Sequence, residues 1–219
     1  MIEQTDKLRF KEICNVSRET YEKLVEYNDF LKETNKKFNL VGKSTLQSVW
    51  VRHFADSIKL EPLIELILNG TSKKIKICDV GSGAGFPGVV LAILANANKW
   101  NVAITLIESN VKKAKFLQEL SRILRLNILV YNKRVERVDE TFDIITARAL
   151  TKLRNLLIIC SKLKHRKTNF FLLKGRNWEN EMIEAKKQWN FSCKVVKNNK
   201  LLDKTGGVTL LLNDVVRKQ

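Results

Sequence analysis

The chain has 219 residues, 44% of them hydrophobic, and 40 Lys and Arg stand against 23 Asp and Glu for a formal net charge of +17. That length suits one α/β domain with an added segment. No uncharged apolar run approaches the roughly 18–20 residues that span a bilayer, and the opening MIEQTDKLRF lacks the apolar core of a signal peptide, so a cytosolic protein is expected; no basic amphipathic helix stands apart from the fold, so no membrane partner is expected. The excess of positive charge favours a phosphate polyanion as partner, although a general drift of composition toward Lys, Asn and Ile would raise it too. Cys14, Cys78, Cys160 and Cys193 stand alone with no C-x-x-C, which reads as small core residues in a reducing compartment rather than disulfides or a metal site.

Residues 1–16 are mixed and weakly patterned. From Ser17 onward, Tyr21, Leu24, Val25, Tyr27, Asn28 and Leu31 fall mostly three and four apart, which predicts a helix. Ser17 suits its N-cap, Glu19 and Glu22 its first turns, and Lys36 and Lys37 its end. The stretch FNLVGKST (38–45) breaks it, Ser44 can cap the next helix, and residues 45–69 read as one or two helices interrupted near Pro62.

From Lys74 the texture changes. KIKICDV (74–80) is a strand, PGVVLAILANA (87–97) a helix with Pro87 in its first turn, NVAITLIE (101–108) a strand, 110–125 an amphipathic helix and NILVYN (127–132) a strand. TFDIITARA (141–149) is a fourth strand, 151–164 a helix, NFFLLKG (169–175) a fifth strand and about 177–189 a helix. FSCKVVKN (191–198) and GVTLLLN (207–213) follow with no helix between them, an antiparallel addition. Alternating strands and helices predict a mostly parallel sheet covered on both faces, preceded by a helical extension over 1–70, with the catalytic domain over 71–219 and the seam near Gly70.

The stretch KICDVGSGAGFPG (76–88) carries the chemistry. Gly83, Gly85 and Gly88 match the dinucleotide pattern G-x-G-x-x-G, but Gly83 comes two residues later than that fingerprint requires, and Asp79 would repel a pyrophosphate at the following helix. S-adenosylmethionine suits the residues better: it has no phosphate, and Asp79 can accept its ammonium or a bridging water. Gly81 and Gly83 let the backbone approach a ligand, and Glu108, ending the second strand, can accept two ribose hydroxyls. The same acid also serves NAD, so a nicotinamide-dependent reductase stays open as a rival. A non-catalytic RNA-binding protein is the second rival, and both acids with the full loop argue against it.

Seven motifs in this order resemble one family: NKKFNLVG (35–42), RHFADS (52–57), DVGSGAGFPG (79–88), LIESNVKKAKFL (106–117), RVE (134–136), ARAL (147–150) and LLKG (172–175). From about residue 20 to about 212 the chain is similar to the bacterial ribosomal small-subunit RNA guanine-N7 methyltransferases, the glucose-inhibited division protein B family. The resemblance implies a class I S-adenosylmethionine-dependent methyltransferase fold, Rossmann-like, with seven strands, the last antiparallel, and a guanine in 16S ribosomal RNA, free or in the small subunit, as substrate of a monomer. It implies that Gly81 and Phe86 make loop contacts, that Val135 and Glu136 flank the adenine, and that Arg148 stands where methyl group and base meet. Another RNA, or a protein, is the alternative substrate.

On the RNA side, Arg52, His53, Asp56 and Ser57 fall at spacings that let several share one helix face and wall a base. A polar surface helix would give the same pattern. Asn39 can hydrogen-bond a base edge or set a turn, Lys174 can meet a phosphate, and Trp178 and Trp189 read as core aromatics before stacking platforms. Guanine N7 bears a lone pair and no proton, so no general base is needed; Asp56 is the expected stabiliser of the charge that moves onto the purine.

Overall fold

The computed structural model describes residues 2–197 and 207–218, so Asn198 of the sixth predicted strand lies outside the described residues. It places seven strands among them in one sheet: β1 (Ile75–Val80), β2 (Val102–Ile107), β3 (Ile128–Tyr131), β4 (Phe142–Arg148), β5 (Lys164–Lys174), β6 (Trp189–Lys197) and β7 (Val208–Arg217). Their order is β3-β2-β1-β4-β5-β7-β6, parallel from β3 to β5, with β7 antiparallel to both β5 and β6. The order reverses between β1 and β4, so a crevice opens past their carboxyl ends. Side chains alternate across the sheet, as the pleat requires: Ile75 and Ile77 join one apolar cluster, Cys78 and Val80 the other.

Nine α-helices, a π-helical segment and a 3-10 turn complete the described chain: α1 (Ile2–Ile13), α2 (Arg18–Lys37), α3 (Lys43–Leu46), the π-helix Trp50–Ala55, α4 (Asp56–Ile58), α5 (Glu61–Leu68), α6 (Gly88–Ala97), α7 (Val111–Ile123), the 3-10 turn Val135–Arg137, α8 (Leu153–Ile159) and α9 (Trp178–Lys186). Ser17 caps α2 as expected, accepting from the Thr20 amide. Helix α6 is buried along nearly all its length because α2 and α4 cover the side away from the sheet, which explains its uniformly apolar sequence. Phe10, Leu24 and Trp50 share one cluster with Val89, Leu91 and Phe116, so the extension before Gly70 and the sheet are packed through a common core.

Several local expectations change. The weakly patterned N-terminus forms α1; Phe10 enters the core, and the Asp6 carboxylate one turn earlier accepts the Trp50 amide at 2.9 Å. Gly42, not Ser44, is the N-cap of α3, and Pro62 opens α5 instead of interrupting a helix, since its missing N–H costs nothing in a first turn. Strand β5 begins five residues before its apolar stretch, where Thr168 donates to the Phe142 carbonyl at 2.7 Å. Trp189 is buried in the core and Trp178 packs against it, as expected.

Candidate active site

The first wall of the crevice is the turn from β1 to α6. Gly81, Gly83 and Gly85 take φ of 68°, 57° and 97°, a region side chains disfavour. The Gly81 and Ser82 amides donate to the Ile107 carbonyl at 2.9 and 3.2 Å, which fastens the turn to β2. Gly81 and Gly83 are partly exposed while Ser82, Ala84 and Gly85 are buried, so the loop presents two bare backbone positions to the crevice. A Cβ at Gly81 would sit 2.5 Å from Leu150 Cδ1, so the ARAL segment lies against the loop here.

The Glu108 carboxylate, 8% exposed, accepts the Gly83 amide through one oxygen and the Asn110 amide through the other, both at 2.8 Å. It therefore ties the glycine loop to the start of α7, and each oxygen keeps a lone pair for another donor. Val135, buried, and Glu136, exposed, lie on a short 3-10 turn after β3.

Asp79 is not at the mouth. It is 1% exposed, beneath the loop, and accepts Thr146 Oγ1 at 2.9 Å and the Gly88 amide at 3.2 Å. There it serves the start of α6, whose first amides need an acceptor. A Cβ on Gly88 would come within 2.7 Å of the Asp79 Cβ and would also strike Leu106, which accounts for glycine there. Burial pushes the Asp79 carboxyl up to about 6, against the hydrogen bonds from Thr146 and Gly88. The carboxylate occupies the helix terminus where a dinucleotide would set its pyrophosphate, so the donor set fits a cofactor without phosphate.

The second wall is a cavity of about 670 Å³ lined by Arg52, Asp56, Arg148, Thr151, Arg176 and Thr209 among others. Arg52 is exposed, and Asp56 holds Lys59 at 2.8 Å. Arg148, ending β4, directs Nη2 onto His53 Nδ1, while its Nη1 is buried without a partner. Burial lowers the Arg148 guanidinium pKa, with the nearby Asp56 charge opposing.

Four residues expected to face ligand or RNA are turned inward. Phe86 is buried, with both Tyr27 and His53 stacked on its ring, because α2 and the π-helix press on the loop. His53 is 7% exposed, and Ser57, on α4, is wholly buried and donates to the His53 carbonyl at 2.7 Å, beside the Asp56 amide. Lys174, its side chain 8% exposed, donates to Glu181 and to the Thr151 carbonyl, both at 2.8 Å; its ammonium thus braces the start of α8 against α9. Asn39 is exposed and does not set its turn: Asn35 does, accepting the Leu40 and Val41 amides at 2.8 and 3.0 Å. Sequence reasoning passed over Asn35, although it opens the NKKFNLVG motif, and Tyr27, whose hydroxyl donates to the Ala84 carbonyl and which was read as a mere helix-face residue.

A glycine turn and a strand-end acid at the switch point of this strand order, with the helix-terminal amide already taken by Asp79, define a class I S-adenosylmethionine-dependent methyltransferase. The fold agrees: the CurJ carbon methyltransferase superposes with a TM-score of 0.61 at 13% identity, over 81% of this chain and 59% of that one. The family described as rRNA small subunit methyltransferase G matches residues 20–207, and the chain belongs to it. The ribosomal RNA small subunit methyltransferase G of Rickettsia felis is 40% identical over 82% of this chain and 87% of its own length. That of a Ruegeria species is 34% identical over 93% and 95%. No helix among the described residues is long and apolar enough to cross a membrane.

Proposed function

We propose that the protein transfers the methyl group of S-adenosylmethionine to N7 of a guanine in the 16S ribosomal RNA of the small subunit, acting as a cytosolic monomer. The observation that carries this reading is the meeting of the two walls at the switch point. A glycine loop whose following helix already has its first amide held by Asp79, together with Glu108, stands on one side, and a cavity bearing Arg52, Arg148 and Arg176 on the other.

Gly81 and Gly83 admit the cofactor to the backbone, Glu108 accepts its ribose hydroxyls, and Val135 with Glu136 flanks its adenine. Bound there, the cofactor supplies an electrophilic methyl on a sulfonium. Asp79 contributes negative charge from beneath the loop. The target guanine enters the cavity, Arg52 holds a phosphate beside it, and Arg148 orients the base. Exposed Asn39 and the basic surface meet the surrounding RNA; steep salt dependence of RNA affinity accompanies such capture. Because N7 has no proton to lose, these residues accelerate by alignment, worth about 7–11 kcal/mol where reacting atoms are well oriented. Asp56 faces the positive charge that develops on the purine.

Tritiated methyl transfer to small-subunit RNA and to small subunits, followed by nucleoside digestion, tests the reading. Label in 7-methylguanosine is expected. Label in another nucleoside, or calorimetric binding of NADH with none of S-adenosylmethionine, contradicts it.

A further inference from the structure

His53 has no assigned part in this scheme, yet it is built into the site with care. It lies on the π-helix, its ring stacked on Phe86 at 4.7 Å between centroids and 20° between planes. Phe86 in turn stacks on Tyr27 at 5.2 Å and 13°, and the Tyr27 hydroxyl donates to Ala84 in the glycine loop. A Cβ on Gly85 would come 2.6 Å from that hydroxyl, so the loop is seated directly on the ring. The imidazole is thus held in register with the loop by two aromatic side chains, Phe86 of the turn and Tyr27 of α2.

Its Nδ1 meets Arg148 Nη2. A guanidinium only donates, so Nδ1 accepts, and the ring hydrogen of a neutral His53 sits on Nε2. Nε2 and Arg148 Nη1 are both buried with no partner. Burial and the neighbouring cations Arg148 and Arg52 push the His53 pKa down to about 2, so the ring stays neutral at working pH. A carboxylate in its place would hold the guanidinium more tightly but cancel its charge. A neutral acceptor fixes the direction of the fork and leaves the full positive charge for the group that arrives.

We propose that His53 is the positioning residue for Arg148, a neutral acceptor that fixes the guanidinium, through Nη2, at the wall of the substrate cavity. This rests on the reading of Arg148 as a residue that orients the base. Two substitutions separate the acceptor from the ring. His53→Phe keeps the stack on Phe86 and loses Nδ1; His53→Asn loses the stack and keeps an acceptor close to the Nδ1 position.

In saturating methyl transfer, His53→Phe is expected to lower kcat at least ~10-fold while KM for RNA stays within about twofold, the mark of an interaction lost in the transition state. His53→Asn is expected to recover most of kcat even if its melting temperature is lower. His53→Phe added to Arg148→Ala is expected to cost nothing more, since the two act as one unit. In the native protein, imidazole nitrogen NMR is expected to show an unprotonated Nδ1 and no titration between about pH 5 and 8. Wild-type kcat in His53→Phe, multiplying losses in the double variant, or a titrating or Nδ1-protonated ring each overturns the proposal. Wild-type turnover in Arg148→Ala overturns it together with the active-site reading of Arg148, whereas an inactive Arg148→Ala beside a fully active His53→Phe overturns the positioning role alone.

Discussion

The two walls of the crevice treat their polar groups in opposite ways. On the glycine-loop wall, Asp79 and Glu108 are engaged by backbone amides and by Thr146, and the turn is fastened to β2. Behind the cavity wall that Arg148 lines, Arg148 Nη1 and His53 Nε2 are buried without partners. A buried unpaired donor costs about 1–3 kcal/mol, a cost that an arriving acceptor removes. On the function proposed above, the first wall is completed by folding and the second by its ligand. This matches a small cofactor that binds a ready-made loop and a nucleotide that must be drawn out of a large RNA.

The largest expected effect tests whether the cations of the cavity wall are all for ligand. Lys174 is not, on this account, because Glu181 binds both its ammonium and the Leu153 amide. Glu181→Ala should therefore destabilise the protein by about 3 kcal/mol, because it strips a part-buried ammonium and a backbone amide of one shared acceptor at about 1–3 kcal/mol each, read by urea unfolding. A stability equal to wild type would return Lys174 to the list of RNA contacts. Next comes the prebuilt wall. Glu108→Ala should weaken S-adenosylmethionine by about 1.5–3 kcal/mol in calorimetry, as for a lost charge-assisted hydrogen bond, with RNA affinity unaltered. Equal weakening of both ligands would dissolve the distinction between the walls.

Asp79 gives a smaller effect with a definite sign. Its carboxyl is held near 6 in the folded protein, above its usual 3.8. The folded state therefore binds the proton more tightly. This contribution to stability is complete below pH 4 and is lost as pH rises toward 6, on the order of 1–3 kcal/mol. Asp143 and Glu3, both lowered, act in the opposite direction. The wild type must therefore be compared with Asp79→Asn, which should lack the loss; parallel pH curves for the two would place the Asp79 carboxyl at an ordinary pKa. The smallest effect is at Asn39. Asn39→Ala should change stability by no more than about 0.5 kcal/mol, as at an open surface. Asn35→Ala, which strips two amides of their acceptor, should cost about 1–3 kcal/mol.

The features readable in the sequence are those whose partners lie close along the chain or repeat with a period. The strands, helix α2 with its Ser17 cap, and the placing of Asp79 and Glu108 at strand ends all follow from local pattern, and so does the choice of cofactor. What could not be read depends on partners far apart. Asp6 looks like a surface acid until it meets Trp50 forty-four residues on. His53 and Arg148 are ninety-five residues apart, and nothing in RHFADS shows that its histidine turns inward while Arg52 stays exposed. Helix α1 escaped because, among its residues of described burial, a thin stripe of Asp6 and Phe10 is buried, and one of the two is an acid. Lys174 stands out by its place at a strand end and Phe86 by its place in a motif, and neither place carries side-chain direction.

The central claim is that the two walls meet in one active site with Arg148 at the join. The most direct measurement is single-turnover methyl transfer to small-subunit RNA by Arg148→Ala, with cofactor and RNA both saturating. Loss of one preorganised donor at a reacting centre predicts a rate lower by about 10²–10³, or roughly 2.7–4 kcal/mol, with the protein folded and both ligands bound. A rate within about twofold of wild type, less than 0.5 kcal/mol of transition-state stabilisation, would contradict the claim.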